Sequence, residues 1–95
     1  IFDICYFLAG LLAEEIDDAF TKEDWLECVK LLIAGYESIT VLSPEEKSAI
    51  PCVMECIEIL CAAYFIRIKD RKRAQDAAHI AHFIQTCEND ILNAL

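Results

Sequence analysis

Apolar side chains recur at three- and four-residue spacing along nearly the whole chain, and no stretch alternates with the period of two that a half-buried strand requires. With only two Gly and two Pro in 95 residues, a turn-rich β-meander has little material to work with. The pattern therefore predicts an all-α fold: one domain over residues 1–95, a bundle of four principal helices joined by short connections.

Helix punctuation divides the chain. The first helix is expected from about Asp3 to Ala13, with Asp3 as its N-cap or first-turn acid. It is apolar nearly all round, the mark of a helix buried on every side. An acidic connection follows, Glu14 to Phe20, with room for a further helical turn. Thr21-Lys22-Glu23-Asp24 reads as a capping-box variant opening the second helix, whose stripe is Trp25, Val29, Leu32, Ile33 and Tyr36. Ser43-Pro44-Glu45-Glu46 is the strongest local signal: Ser caps, Pro takes the first position where no N–H is needed, and Glu46 closes the box. Pro51 disfavours helical geometry at Ile50, which predicts a short helix, a break, and a long helix from Pro51 to about Ile68. The inner stripe expected there is Val53, Ile57, Leu60, Cys61, Tyr64 and Phe65. A last helix is expected from about Lys72 to Ala94, with Ala77, Ile80, Ala81, Ile84, Cys87, Ile91 and Leu95 facing inward.

Composition enters through burial. Apolar residues make up 57% of the chain and mean hydropathy is +0.37, more than so small a domain can hide by itself. The chain also starts in mid-core, Ile1-Phe2-Asp3-Ile4-Cys5-Tyr6-Phe7-Leu8, so it is expected to be a fragment of a longer protein. Alone, it should expose Phe2, Tyr6 and Phe7 and self-associate through the first helix. No basic segment precedes that apolar run, and the longest uninterrupted one, Ile59–Ile66, is too short to span a bilayer. A cytoplasmic protein with no membrane partner is the expectation. A net charge of −9 argues against nucleic acid, which needs a broad basic face. The one basic cluster, Arg67 to Arg73, reads as a helix end whose cations complement the dipole.

Chemistry-bearing groups are sparse. Cys52, Cys56 and Cys61 share one predicted helix, while Cys5, Cys28 and Cys87 lie on three others, a spacing that suits buried thiols in a reducing compartment better than disulfides or zinc knuckles. His79 and His82 can share a helix face, and a metal site there would need Asp76 or Cys87 to converge. The acid pairs Glu14-Glu15, Asp17-Asp18, Glu23-Asp24 and Glu45-Glu46 fall at helix starts or in a connection, where acids are expected without catalysis. There is no Gly-rich phosphate loop and no Ser/His/Asp arrangement.

Two stretches resemble the choline/aminoglycoside phosphotransferase family, in particular its homoserine-kinase-like branch. Ile1-Phe2-Asp3-Ile4-Cys5-Tyr6 is similar to the family's "YDLA" segment, and Ala34 to Pro51 is similar to its "GY..V..L(T/S)..E..ALP" segment, departing at Ile39-Thr40-Val41 where many relatives carry Arg-Pro. The resemblance implies the C-terminal helical subdomain of a protein-kinase-like fold that moves the γ-phosphoryl of ATP to a small-molecule hydroxyl. It also implies that the catalytic Asp and Asn, the Mg²⁺ ligand and the nucleotide cradle lie upstream, so the 95 residues hold no catalytic, cofactor or metal residue. ATP and Mg²⁺ would serve the parent protein, and the missing N-terminal catalytic part would be the fragment's partner. Asp3 alone carries over, as the helix-initiating aspartate that holds the catalytic-loop backbone. The competing expectation is a helical interaction module that binds a partner helix and catalyses nothing.

Overall fold

In the computed structural model, residues 1–14 and 19–95 are described, Glu14 by its backbone alone. The chain is all-helical among these residues: α1 (Phe2–Leu11), a 3₁₀ turn (Leu12–Glu14), α2 (Lys22–Glu37), α3 (Pro44–Arg67), α4 (Arg71–Thr86) and α5 (Glu88–Ala94). The predicted all-α bundle is what forms. The acid pairs Glu14-Glu15 and Asp17-Asp18 lie outside the described side chains.

Both capping boxes close as the spacing requires. Thr21 Oγ1 accepts from the Asp24 N–H at 3.2 Å while Asp24 accepts from the Thr21 N–H at 3.0 Å. The Ser43 and Glu46 pair repeats this at 3.1 and 3.0 Å, and those bonds hold the Glu46 carboxyl below the usual range.

The core joins all five helices: Ile4, Cys5 and Leu8 of α1, Trp25, Val29 and Ile33 of α2, Ile50, Met54 and Ile57 of α3, Ile84 of α4 and Ile91 of α5. α3 is the central strut, packing against α1, α4 and α5.

Three expectations need correction. Pro51 does not break the chain: α3 runs unbroken through it, and Pro51 is itself fully buried. An interior proline costs about 3 kcal/mol. Ile50, Met54 and Ile57 are each at most 3% exposed, and burial at about 1.5–3 kcal/mol per side chain more than offsets that cost. α3 keeps Ile57 inward, with Val53 and Cys61 packed against the core as predicted, but its inward face is shifted: Met54 and Glu58 are buried and Leu60 and Tyr64 are more than half exposed. Its C-terminal half is apolar on every side, so the sequence carries no phase and the packing partners choose the face. Finally, the last predicted helix is divided at Cys87 (φ −111°, ψ 20°), which turns α5 so that Ile91 enters the core and Asp90 meets Lys22 at 2.7 Å.

By length and composition α3 is the one helix among the described residues able to cross a membrane, with mean hydropathy 1.9 over an 18-residue window. The uninterrupted run Ile59–Ile66 understated this, because Glu55 and Glu58 interrupt the run without making the window polar.

Candidate functional site

α1 carries two different surfaces. One buries Ile4, Cys5, Leu8 and Ala9. The other leaves Phe2, Tyr6 and Phe7 more than half exposed, with Phe2 and Tyr6 stacked at 6.3 Å. So α1 is not buried on every side here; the exposed patch expected for the 95 residues alone is what the structure has. These residues with Asp3, Gly10 and Leu11 line an open groove of about 660 Å³. Phe7 and Leu11 extend it into a second groove of about 420 Å³ toward Cys28, Leu31 and Leu32 of α2.

Asp3 stands exposed at the head of that groove. It is a first-turn acid and not the N-cap, which is Ile1, and no side chain caps α1. Its charge lies where the helix dipole favours an anion.

A third surface was not foreseen from the sequence. Glu58 is 7% exposed, on the α3 face that meets α1 and α4. It forms the floor of a cleft of about 370 Å³ whose walls include Tyr6 and Gly10 of α1, Phe65 of α3, and Ile80 of α4, with Arg73 and Asp76 at the rim. Removal from water pushes the Glu58 carboxyl above its ordinary range. Neither a hydrogen bond nor an ion pair joins Glu58 to any described residue. The rim charges are already engaged: Arg73 pairs with Asp70 at 3.6 Å and lies 5.9 Å over the Phe65 ring, and Asp76 pairs with Lys72 at 3.4 Å. A lone acid in the middle of an otherwise apolar helix, between Ile57 and Ile59, was the available signal.

The other candidates disperse. His79 and His82 are exposed on α4, Asp76 is paired with Lys72, and Cys87 is buried at the α4–α5 junction. Among the described residues no three metal-ligating side chains converge. The basic segment closes α3 as a Schellman turn: Asp70 N–H bonds the Phe65 carbonyl at 2.8 Å, Lys69 N–H bonds Ile66 at 3.0 Å, and Lys69 takes the left-handed conformation (φ 63°). Asp70 then caps α4 through the Arg73 N–H. This segment joins two helices, as its charge pattern predicted.

All six cysteines are free thiols. Burial pushes Cys5 up to about 11 and raises Cys87, while Cys61 is raised by burial and then by Glu58. Cys52 and Cys56 are exposed one turn apart on α3, not core residues as expected, and Cys56 raises the Cys52 thiol by charge repulsion and a mutual hydrogen bond.

Comparison with known proteins yields no matching family model, curated protein or solved structure.

Proposed function

We propose that these residues form the C-terminal helical part of an ATP-dependent, cytoplasmic small-molecule phosphotransferase of the choline/aminoglycoside type. In this reading an upstream part of the protein supplies the catalytic base, the Mg²⁺ ligands and the nucleotide cradle, and the γ-phosphoryl group passes to a hydroxyl of a small acceptor. Those parts must act together, so the 95 residues alone transfer nothing.

The observation that carries the reading is the combination on α1. A carboxylate stands free at the head of a helix whose inner face is core and whose outer face bears Phe2, Tyr6 and Phe7. A helix apolar on two sides is suited to lie between two layers of a larger protein. Asp3 at its head would accept backbone N–H groups of the catalytic loop and hold that loop in place, without touching substrate.

The joined grooves along α1 also favour a second reading, an interaction module that takes a partner helix on the Phe7–Leu11 face. One observation separates the two. The gene upstream of Ile1 should encode an HGDxxxxN-like loop followed by an acid, and the full-length product should phosphorylate hydroxyl acceptors from ATP. In that enzyme Asp3→Ala should lower kcat with little change in KM for ATP. An upstream sequence without such a loop, or a full-length product with no ATP-dependent transfer, leaves the interaction module.

A further inference from the structure

We propose that the outer face of α3 and the α3–α4 corner dock on an anionic lipid bilayer, with α3 lying along the surface and the corner's cations on the lipid phosphates. This is the side of α3 opposite its core residues, and the proposal does not rest on the phosphotransferase reading. It replaces the expectation of no membrane partner.

Three observations select this partner. First, every exposed residue of α3 from Cys52 to Ile66 is uncharged, and Ile59, Leu60, Tyr64 and Ile66 are each more than half exposed. They form a ridge about 21 Å long. The most apolar 18-residue window of α3 is only 28% buried, so making the core leaves most of its apolar surface uncovered. Ile50, Met54 and Ile57 hold the other face in the core, so the folded helix can lie on a bilayer but not cross it.

Second, charge reverses where the ridge ends. Arg67 to Arg73 holds five of the eight cations and one of the 17 acids, so this segment is net +4 while the rest of the chain is net −13. Arg67, Lys69 and Arg71 are exposed and make no ion pair among the described residues. A cluster of this size is attracted to anionic headgroups. Glu45 and Glu46, exposed at the opposite end of α3, are repelled by them, so the corner enters first and the Pro44 end is raised.

Third, the two features are joined. Ile66 shares a groove of about 690 Å³ with Lys69 and Arg71, floored by Ala74 and Ala78 of α4. An apolar wall beside two unpaired cations matches an acyl chain beneath its phosphate, and long basic side chains can lay their stems on the one and their heads on the other. A protein partner would have to present a trough shaped to a convex ridge, whereas the headgroup–acyl boundary yields to one.

The test is sedimentation of the 95-residue chain with vesicles of phosphatidylcholine alone or with about 30 mol% phosphatidylserine. Binding to the anionic vesicles is expected to be at least about tenfold tighter, and to weaken in about 0.5 M NaCl. Replacing the three unpaired cations together, Arg67→Gln, Lys69→Gln and Arg71→Gln, should weaken it at least about thirtyfold. Ile59→Gln with Leu60→Gln should weaken it about tenfold. Lys30→Gln, an exposed cation of α2 far from the corner in sequence, should change it less than about threefold. In the unsubstituted chain, a polarity-sensitive maleimide dye on Cys52 and Cys56, which lie on the ridge, should shift to the blue with anionic vesicles, a readout that no substitution can disturb through folding. Equal binding to both vesicles, unchanged binding after the triple substitution, or a stationary dye would each overturn the proposal. A chain that stays in the supernatant with both vesicles would also overturn it and leave the ridge to a protein partner.

Discussion

The indole Nε1 of Trp25 donates a hydrogen bond to the Leu8 carbonyl at 2.9 Å, inside the core. Leu8 is among the last four residues of α1, whose carbonyls have no donor within their own helix. α2 therefore completes the end of α1. The same indole meets Phe83 of α4 edge-on, with ring centroids 6.0 Å apart, so one side chain ties three helices together. Trp25→Phe keeps most of the apolar volume but strands a buried carbonyl. It should destabilise the chain by about 1–3 kcal/mol in urea unfolding. A loss below about 0.5 kcal/mol would mean the Leu8 carbonyl finds water or another donor.

Glu58 sets a pH dependence. Its folded pKa lies above the ordinary 4.5, so the folded state binds the proton more tightly than the unfolded state does. Its favourable contribution is therefore complete below pH 4.5 and is lost as pH rises through the folded value. Glu58→Gln should be the more stable form at neutral pH, with the gap closing on acidification, because a buried amide costs less than a buried charge. Chemical denaturation of both forms across this range checks it. A gap that widens toward acid would contradict the sign.

Lys69 adopts φ 63° at the position where helix ends of this type favour glycine. Left-handed geometry costs a residue with a Cβ roughly 1 kcal/mol. Lys69→Gly should therefore raise stability by about 0.5–1 kcal/mol, while Lys69→Ala, which keeps the Cβ, should stay within about 0.5 kcal/mol of the parent. Thermal unfolding distinguishes the two substitutions.

Thiol labelling should follow exposure. Cys52 and Cys56 are exposed, Cys52 with its thiol raised by Cys56, whereas Cys5 and Cys87 are buried as well as raised, Cys5 to about 11. Limited maleimide treatment of the native chain, read by peptide mass spectrometry, should mark Cys52 and Cys56 first. Cys5 and Cys87 should react only after denaturant is added. Early labelling of Cys5 would show that the α1 face of the core opens readily.

The outer face of α1 predicts association of the 95-residue chain. Phe2, Tyr6 and Phe7 lie together with Leu31 of α2 also more than half exposed nearby, an apolar surface of the kind seldom left bare on monomers. Light scattering should show a dimer or larger species that Phe7→Glu converts to monomer. A wild-type monomer at high concentration would show that this face does not need covering.

The sequence by itself determined the helical class and most of the punctuation. Caps at Thr21 and Ser43 are local chemistry: a side-chain oxygen meets an N–H three residues ahead, whatever the rest of the chain does. The stripes of α2 and α4 were legible too, since their outer faces are polar enough to give the period a phase. Tertiary structure alone decided the rest. It kept α3 helical through Pro51, because the burial of Ile50, Met54 and Ile57 outweighs one lost hydrogen bond. It chose which face of an apolar helix turns inward, and so put Glu58 beneath Tyr6 and Ile80, residues 52 and 22 positions away in the chain. It also divided the last helix at Cys87, where no Gly or Pro stands, and α5 so placed has Ile91 in the core and Asp90 against Lys22. Such outcomes depend on contacts between distant segments, and no local pattern encodes which distant surface a side chain will meet.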